Sequence, residues 1–356
     1  MTVETPDVVV VGLGPAGSRA AAAAARAGLD VVALERRLRP GTPVQCAEFV
    51  PTLIEIEVPR VREVAAQPIE RMLTFVEDEA PEETADFHGW MIDRAAFDRM
   101  LAEDAARAGA DCRYGTAVAA IEPDGTVRCS SGAVFRPRVL IGADGPRSRV
   151  GAAIGAVNRE LVETRQVTVP LTAPHDATDI FLRAFYRGGY GWLFPKGRVA
   201  NLGIGVAIER RQALKSMLET LRRSLAASGR IGAGTTRLTG GIIPVGGRLP
   251  ATGRLGATLV LLAGDAVGLT NPVTGAGIAS AVQSGALAGE AAAAALGGRA
   301  PAVDDYAEEI GDVFDGALAR AVRRRREVLA CYAGGARPDA AHLRAGWISS
   351  PAYWAA

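Results

Sequence analysis

The sequence lacks the cysteine pairs that build zinc sites and disulfide frameworks. Its four cysteines are scattered and none forms a Cys-x-x-Cys pair. The three histidines show no metal-ligand spacing either. We therefore expect no metal site, and free thiols favour a reducing compartment such as the cytoplasm.

The chain also lacks an excess of one charge and any long hydrophobic run. It has 40 basic and 39 acidic residues, so no net field attracts nucleic acid. Charged residues such as Arg26, Asp30 and Glu290 interrupt the Ala-rich stretches, and no signal-peptide pattern opens the chain. We expect a cytoplasmic protein, with peripheral membrane contact left open, and the sequence does not indicate an oligomeric state.

A β-α-β unit opens the sequence. Val8–Val11 and Val31–Glu35 are short apolar runs typical of strands buried on both faces. Between them, Pro15–Ala27 is Ala-rich and predicts a helix that ends at Gly28. This order of elements is the structural context that a dinucleotide-binding turn requires.

Gly12-Leu13-Gly14-Pro15-Ala16-Gly17 supplies that turn. Gly12 allows the tight bend, Gly14 lets the backbone approach a pyrophosphate, and Gly17 lets helix and strand pack closely. Glu35 ends the second strand, where a carboxylate can accept the hydroxyls of an adenosine ribose. The predicted contacts of this unit are Gly12, Gly14, Ala16, Gly17, Glu35 and Arg36. The motif alone does not separate FAD from NAD.

Two later motifs favour FAD. The predicted strand Val139–Ala143 ends at Asp144-Gly145, at the edge where such sheets bind ligands. A second predicted strand, Leu259–Leu262, leads to Asp265, which can bond ribityl hydroxyls, and then to Gly275–Gly277 and a helix. That helix start can approach the flavin ring and stabilise negative charge on it. Each aspartate alone could be a turn or N-cap residue, but the ordered set points to FAD.

The pattern changes to β-rich between about residues 157 and 250. We therefore predict an α/β protein in which a Rossmann-type, glutathione-reductase-like FAD-binding domain carries an inserted β-rich α+β substrate domain. The expected segments are 1–156 for the first part of the FAD-binding domain, 157–250 for the substrate domain, 251–300 for the return segment, and 301–356 for a C-terminal helical segment. Residues 36–92 are read as loops with short elements that can contribute to the substrate side.

The ordered motifs resemble the para-hydroxybenzoate-hydroxylase-type flavoproteins and, within them, the geranylgeranyl reductase family. The likeness runs to about Ala330 and is carried by GLGPAG (Gly12–Gly17), PVQCAEFVP (Pro43–Pro51), GYGWLFPKG (Gly189–Gly197) with NLGIGV (Asn201–Val206), and GDAVGLTNPVTGAGIASAVQSG (Gly264–Gly285). Where those relatives have Cys-Gly-Glu-Gly, this chain has Cys46-Ala47-Glu48-Phe49. That change restricts the loop and adds a ring near the expected flavin face.

The resemblance implies a reductase that adds hydrogen across isolated C=C bonds of polyprenyl chains, using FAD. NAD(P)H is the expected electron donor, with ferredoxin as the alternative. The implied FAD contacts are Gly17, Glu35, Gln45, Cys46, Ala47, Arg94, Val118, Asp265, Gly277 and Ile278. The alternative function is an FAD-dependent monooxygenase that hydroxylates or epoxidises an apolar natural product.

The predicted catalytic residues are Cys46, Tyr190 and Trp192. Cys46 is interpreted as flavin-proximal, the alternative being a small apolar filler. Tyr190 and Trp192 share a strand face with Phe194, and this face is either a wall for an apolar chain or core of the substrate sheet. Lys196 is expected in solvent, with a substrate anion as the alternative. The Arg323–Arg326 run predicts a solvated helix with acidic partners, an anionic surface being the alternative reading.

Overall fold

The computed structural model describes residues 3–355. The strands are β1 (Val3–Glu4), β2 (Val8–Val11), β3 (Val31–Leu34), β4 (Phe49–Pro51), β5 (Ala65–Ile69), β6 (Arg71–Val76), β7 (Glu82–Thr84), β8 (Gly89–Ile92), β9 (Asp111–Arg113), β10 (Val118–Ile121), β11 (Val127–Cys129), β12 (Val134–Phe135), β13 (Val139–Gly142), β14 (Leu161–Pro170), β15 (Ala177–Leu182), β16 (Gly191–Lys196), β17 (Val199–Ala207), β18 (Leu238–Thr239), β19 (Ile242–Pro244), β20 (Thr252–Leu255) and β21 (Thr258–Leu262). The helices are α1 (Pro15–Arg26), α2 (Ile54–Glu57), α3 (Arg94–Arg107), α4 (Arg149–Ala153), α5 (Leu214–Ala227), α6 (Ile278–Leu296), α7 (Ala302–Ala330), α8 (Ala340–Ala345) and α9 (Pro351–Trp354). Short 3-10 helices span Pro59–Val64, Ile208–Ala213, Gly264–Val267 and Ala333–Gly335.

A six-stranded sheet contains the dinucleotide-binding turn. Its strand order is β20-β21-β13-β2-β3-β9, and all neighbours are parallel except β20 with β21. Strands β2, β3 and β13 are buried along their whole length, as their unbroken apolar sequences predict. The predicted strands at Val8–Val11, Val31–Glu35, Val139–Ala143 and Leu259–Leu262 are thus confirmed to within a residue.

Helices α1 and α6 pack against each other almost backbone to backbone. A Cβ atom on Gly285 would lie 2.1 Å from the carbonyl oxygen of Ala16, and one on Gly289 would lie 2.4 Å from that of Ala20. Only glycine permits this approach, since no real Cβ atom comes so close to backbone. The contact holds the first turns of both helices near the carboxyl edge of the six-stranded sheet.

An eight-stranded sheet forms the second large layer. Its order is β18-β14-β17-β16-β15-β6-β7, and β19 also pairs with β14. Helix α5 covers one face with Leu214, Leu218, Leu221 and Leu225, which recur at helical spacing and are all buried. The opposite face carries Trp192 and Phe194, which pack with the C-terminal segment.

The stretch from Arg36 to His88 contributes more regular structure than its sequence predicts. β6 and β7 extend the eight-stranded sheet, while β4 and β5 flank β8 in a separate three-stranded sheet. The prediction of no clear periodicity is wrong for β6, in which Met72, Thr74 and Val76 alternate as buried residues. A parallel partner, β15, stabilises that strand although it lies about a hundred residues further along the chain.

The long helices show local signals that start a helix or anchor it to the core. α3 starts after Asp93, whose carboxylate caps the helix by accepting a hydrogen bond from the Ala96 backbone N–H. α7 packs Tyr306, Ile310 and Leu318 into the core of the six-stranded sheet. Within residues 3–355, no helix combines the length and apolar character needed to cross a bilayer.

The glycine contact between α1 and α6 yields a stability prediction. Gly289→Ala should lower the free energy of unfolding by about 1–3 kcal/mol, because the new methyl group meets the Ala20 carbonyl and the Ala23 side chain. Gly316→Ala is the matched control: Gly316 is an exposed helical glycine with nothing within 4 Å of its Cβ position, so alanine should be neutral or stabilising by up to about 1 kcal/mol. Thermal or urea unfolding measures both, and equal effects would contradict the packing argument.

Candidate functional site

The dinucleotide-binding turn has the geometry that its glycines predict. Gly12 has φ +94°, and a Cβ there would lie 2.5 Å from the Ala143 carbonyl oxygen. A Cβ on Gly17 would lie 1.7 Å from the Gly12 carbonyl oxygen, so glycine is required at both positions. Gly14, the N-cap of α1, makes no side-chain cap, and its Cβ position has nothing within 4 Å. The backbone N–H groups of this helix start are therefore available to a pyrophosphate.

Glu35 is tied to the same turn by its carboxylate. Oε2 accepts a hydrogen bond from the Leu13 backbone N–H at 3.0 Å, and Oε1 accepts one from the Arg37 backbone N–H at 2.9 Å. Each oxygen keeps a lone pair for a further donor, so a ribose hydroxyl remains compatible with these bonds. Arg36, predicted beside Glu35, is exposed, whereas the Arg37 side chain donates to Gln45 Oε1 at 2.5 Å.

The second predicted cofactor contact lies where β21 leads into α6. The Thr270 hydroxyl donates to Asp265 Oδ1 at 2.5 Å, and burial raises the pKa of the Asp265 carboxyl. A Cβ on Gly277 would lie 2.6 Å from Thr270 Oγ1 and 3.2 Å from Asp265 Oδ1. α6 starts at Ile278 without a side-chain cap, so a second set of free N–H groups lies beside Asp265.

The loop before α6 is held by Asn271 and Gly275. Asn271 Oδ1 accepts hydrogen bonds from the backbone N–H groups of Val273 and Thr274 at 2.9 and 3.0 Å. Gly275 has φ +71°, a left-handed conformation that favours glycine. The loop therefore has a defined shape next to Gly277, as expected for a segment that supports a ring.

Asp144 and Val118 are the two predicted cofactor contacts that lie in and after the strands β10 and β13. The Asp144 carboxylate accepts hydrogen bonds from the Ser148 hydroxyl at 2.5 Å and the Arg149 backbone N–H at 2.7 Å, which stabilises the start of α4. Burial raises its pKa, and these hydrogen bonds oppose that shift. Its Cα would lie 3.0 Å from a Cβ on Gly12, so Asp144 also adjoins the turn. Val118 is buried in β10, and its predicted cofactor contact remains a prediction.

The Cys46 loop is fastened to the eight-stranded sheet through its carbonyl groups. The Gln166 side chain donates to the Cys46 carbonyl at 3.1 Å, and the Asn201 side chain donates to the Ala47 carbonyl at 3.2 Å. Cys46 itself is half-buried, and its sulfur accepts a hydrogen bond from the Glu48 backbone N–H at 3.2 Å. Burial acts to lower the pKa of Arg94, but Asp98 and Cys46 outweigh it and the pKa is raised.

Glu48 is the site residue that sequence reasoning missed. It is 2% exposed and has φ +73°, a strained conformation for a residue with a side chain. Its Oε1 accepts hydrogen bonds from Lys196 Nζ at 2.9 Å and the Arg94 backbone N–H at 3.0 Å, and its Oε2 accepts one from Asn201 Nδ2 at 2.9 Å. Lys196 and Asn201 lie more than a hundred residues from Glu48 in the sequence. The only sequence signal for a role of Glu48 is therefore its position next to Cys46 in the loop motif.

The prediction that Lys196 is solvated is wrong. β16 ends at Lys196 beside the Cys46 loop, and the ammonium group pairs with the buried Glu48 carboxylate. The pairing offsets the cost of burying that carboxylate.

The predicted aromatics Tyr190, Trp192 and Phe194 contact one another, but they contribute to two different surfaces. Ring centroids are 5.8 Å apart for Tyr190 and Trp192, and 6.4 Å apart for Trp192 and Phe194. Phe194 packs against Phe49, the ring that replaces a family glycine, at 6.1 Å. Tyr190 and Trp192 line a narrow cavity of about 30 Å³ beside the loop that contains Gly275.

Polar atoms hold the rings of that wall in place. The Tyr190 hydroxyl donates to the Thr274 carbonyl at 2.5 Å, and Trp192 Nε1 donates to Gln166 Oε1 at 2.9 Å. Burial, reinforced by Cys46, raises the pKa of Tyr190, so its hydroxyl stays protonated and keeps donating. Trp347, from the C-terminal segment, packs on Tyr190 with centroids 4.9 Å apart and completes the wall.

The Arg323–Arg326 run divides into two kinds of residue. Arg323 pairs with Glu327 at 3.9 Å and Arg326 with Glu160 at 3.0 Å, and both are exposed, as the predicted solvated helix with acidic partners requires. Arg324 is covered by the C-terminal segment, where it donates to the Tyr353 and Ala355 carbonyls. Arg325 departs from that prediction, because it points inward and is 9% exposed. Residues 3–355 contain no cluster of three or more His, Cys, Asp or Glu side chains that could hold a metal ion.

The Glu48–Lys196 pair yields a prediction about stability. Glu48→Ala leaves the Lys196 ammonium and the Arg94 backbone N–H without their acceptor, so the free energy of unfolding should fall by about 3 kcal/mol. The double variant with Lys196→Met should recover part of that loss, because it removes the unpaired charge. Glu63→Ala, in an exposed pair with Arg60, should change stability by less than about 1 kcal/mol. Chemical unfolding separates the three, and a Glu48→Ala effect as small as the control would contradict the pairing argument.

Comparison with known proteins agrees with this geometry. A family model described as an FAD binding domain matches residues 5–321. The digeranylgeranylglycerophospholipid reductase of Methanocaldococcus jannaschii is 32% identical over 325 residues, covering 85% of this chain and 79% of that protein.

Solved structures give the same picture. A geranylgeranyl bacteriochlorophyll reductase-like protein from Thermoplasma acidophilum superposes with a TM-score of 0.83 at 26% identity, covering 96% of this chain and 90% of that one. The myxobacterial chondrochloren halogenase CndH, at TM-score 0.66 and 18% identity over 91% of this chain and 80% of that one, shares the fold alone. The fold is thus compatible with more than one flavin chemistry, and the site must decide between them.

Proposed function

This chain belongs to the FAD-binding family that includes the digeranylgeranylglycerophospholipid reductases, and on that basis we propose that it reduces C=C bonds of a polyprenyl lipid. The observation that carries the proposal is the position of the Tyr190–Trp192 wall directly beside the Gly275 loop. An apolar chain lying on that wall would be next to the helix start that supports a flavin ring. The pairing of a lipid-compatible surface with a flavin-supporting loop favours reduction of an apolar substrate.

The residues present fit FAD. Two helix starts without side-chain caps, at Gly14 and Gly277, offer free N–H groups to anionic parts of a dinucleotide. We propose that α1 binds the pyrophosphate, that Glu35 accepts from the adenosine ribose, and that Asp265 accepts from the ribityl chain. The remaining proposed contacts come from the Cys46 loop and its neighbours: Gln45, Cys46, Ala47, Arg94, Val118 and Ile278.

Reduced FAD, when bound, supplies a hydride to the substrate double bond. We propose that Tyr190 and Trp192 hold the apolar chain and exclude water from it. Cys46 is proposed to hold the proton that completes the addition, at Sγ, which the hydrogen bond from the Glu48 backbone N–H keeps in position. Glu48 positions this loop by binding Lys196 and Asn201 and does not itself touch the substrate.

The domain arrangement, the electron donor and contact with a lipid surface belong to the same proposal. The eight-stranded sheet with α5 is interpreted as a substrate domain inserted between the parts of the FAD-binding domain, bounded near residues 157 and 250 and extended by β6 and β7. The electrons that regenerate reduced FAD are proposed to come from NAD(P)H, with ferredoxin as the alternative donor. Contact with a lipid surface would follow from a membrane-derived substrate.

The role of Asp265 is testable by flavin binding. Asp265→Ala should weaken FAD affinity by about tenfold to a hundredfold, as expected for one lost hydrogen bond to a charged group. Asp312→Ala, at an exposed position on α7, is the control and should leave affinity unchanged. Flavin absorbance after extensive dialysis measures both variants. Full FAD retention by Asp265→Ala would remove the residue from the cofactor site.

The reaction itself is tested anaerobically. The bound flavin is reduced with dithionite, a panel of polyprenyl lipids is added, and flavin reoxidation is followed together with product mass. We expect reoxidation with a gain of two hydrogens per reduced double bond. If the flavin is not reoxidised in the absence of oxygen, and a product that has gained one oxygen atom forms in air, the monooxygenase alternative would replace the reductase.

A further inference from the structure

The Tyr190–Trp192 wall has too little free space beside it for a long apolar chain. The cavity there measures about 30 Å³, which is room for about two water molecules. A polyprenyl chain is many times larger, so part of the surrounding structure must move before such a chain can lie on the wall. The strands do not supply that room, because β16 is paired with β15 on one edge and with β17 on the other. The Gly275 loop is also fixed, since Asn271 and Tyr190 are hydrogen-bonded to it.

The C-terminal segment, residues 337–355, covers the wall from a different side. Trp347 packs on Tyr190 with ring centroids 4.9 Å apart, and Leu343 packs on the face of the eight-stranded sheet that carries Trp192. Both side chains are buried. The same sheet face contains the apolar residues Met72, Val76, Ile180, Leu182 and Phe194. Leu343 and Trp347 therefore occupy an apolar surface that is continuous with the wall.

Polar groups at this contact are left without partners. The hydroxyls of Thr74 and Thr178 lie on the covered face of β6 and β15, and each is buried with no hydrogen-bond partner in the described chain. The indole N–H of Trp347, from the C-terminal segment, has none there either. Buried polar groups without partners cost free energy, so this contact is weaker than its apolar burial alone would make it.

Side chains provide the remaining attachment of the C-terminal segment. Within residues 3–355, no backbone–backbone hydrogen bond joins residues 337–355 to the rest of the chain. At the surface, Arg344 pairs with Glu79 and Glu82 of the β6–β7 hairpin. Near the end of the segment, the Arg324 side chain donates to the Ala355 carbonyl at 2.6 Å. The segment can therefore detach without breaking any strand pairing.

Two glycines precede the C-terminal segment. Gly334 and Gly335 have φ +64° and +84°, both are exposed, and nothing lies within 4 Å of their Cβ positions. Glycine adopts many backbone conformations at low cost, and these two have no neighbours that would restrict a change of direction. The chain therefore has the features of a hinge directly before the segment that covers the wall.

We propose that the C-terminal segment is a displaceable cover, which moves away at Gly334 and Gly335 when an apolar chain takes the place of Leu343 and Trp347 on the sheet. This inference rests on the proposed function, because the apolar chain is the substrate proposed there. In the closed state the segment keeps water off the apolar face. Only the open state admits the chain, so the apparent affinity is reduced by the fraction of molecules that are open.

Weakening the cover should therefore strengthen binding. Geranylgeraniol is titrated into the oxidised holoenzyme, and binding is followed by the flavin absorbance change and by calorimetry. Arg344→Ala, which removes two surface ion pairs, should raise the affinity about twofold to fivefold, and Leu343→Ala should act in the same direction. Arg71→Ala is the matched control, because it removes surface ion pairs from the same β6–β7 hairpin that do not involve the C-terminal segment, and it should leave the affinity unchanged.

Hydrogen exchange gives a second readout. Backbone amides in residues 339–350 should exchange at least about fivefold faster when geranylgeraniol is bound, because the ligand holds the segment away from the sheet. Slower exchange would show that the segment closes over the ligand, and this result would overturn the proposal. Unchanged or weaker affinity in both Arg344→Ala and Leu343→Ala would also overturn it, as would the absence of binding in every variant. Flavin occupancy checks folding, and the double variant Glu79→Gln with Glu82→Gln removes the same ion pairs if Arg344→Ala does not fold.

Binding and exchange are measured without turnover, so this proposal and the proposed function fail separately. Ligand-accelerated exchange in the C-terminal segment without reduction of any prenyl lipid would leave the cover and remove the reductase function. Reduction of prenyl lipids by a protein whose segment exchanges at the same rate with and without ligand would do the reverse.

Discussion

The site depends first on the contact between α1 and α6, in which glycine brings one helix against the backbone of the other. Gly285 and Gly289 leave no room for a side chain between them and the carbonyl groups of α1. Because the helices touch there, their uncapped first turns stay close together at one edge of the six-stranded sheet. Two helix dipoles can then stabilise a bound dinucleotide. One acts on the negative charge of its pyrophosphate, and the other acts on the negative charge that its ring carries when reduced.

The second constraint is the buried carboxylate of Glu48. It joins the Cys46 loop to the ends of β16 and β17 and to the first residue of α3, so four separate parts of the chain meet at two oxygen atoms. A residue in a left-handed conformation is retained there because its side chain satisfies three donors. This arrangement compensates for the missing loop glycines at Ala47 and Phe49: the loop is held by specific bonds to the sheet, and the Phe49 ring is absorbed by stacking on Phe87 at 5.3 Å.

Much of the fold was predictable from local pattern, and much of the site from motif. Unbroken apolar runs identified β2, β3, β13 and β21, and the spacing of Gly12, Gly14 and Gly17 identified the turn, because both signals lie within a few residues. The signals that failed were non-local. The strand β6 depends on its parallel partner β15, the charge of Lys196 depends on Glu48, and the burial of Arg325 depends on how α7 lies against Gly188. The sequence of four consecutive arginines does not indicate which of them is exposed to water and which is buried.

The wall beside the Gly275 loop is built from two parts of the chain that differ in how freely they can change. Trp192 lies within β16 and is hydrogen-bonded to β14, so replacing it would disturb the whole sheet. Trp347 lies just after the six-residue helix α8 and packs on Tyr190 of the wall; its indole N–H has no partner within the described chain. Substitution at Trp347 can therefore reshape the space above Tyr190 without removing a side-chain hydrogen bond. Divergence among relatives in the substrates they accept would be expected to accumulate in this C-terminal segment before it reaches the strands.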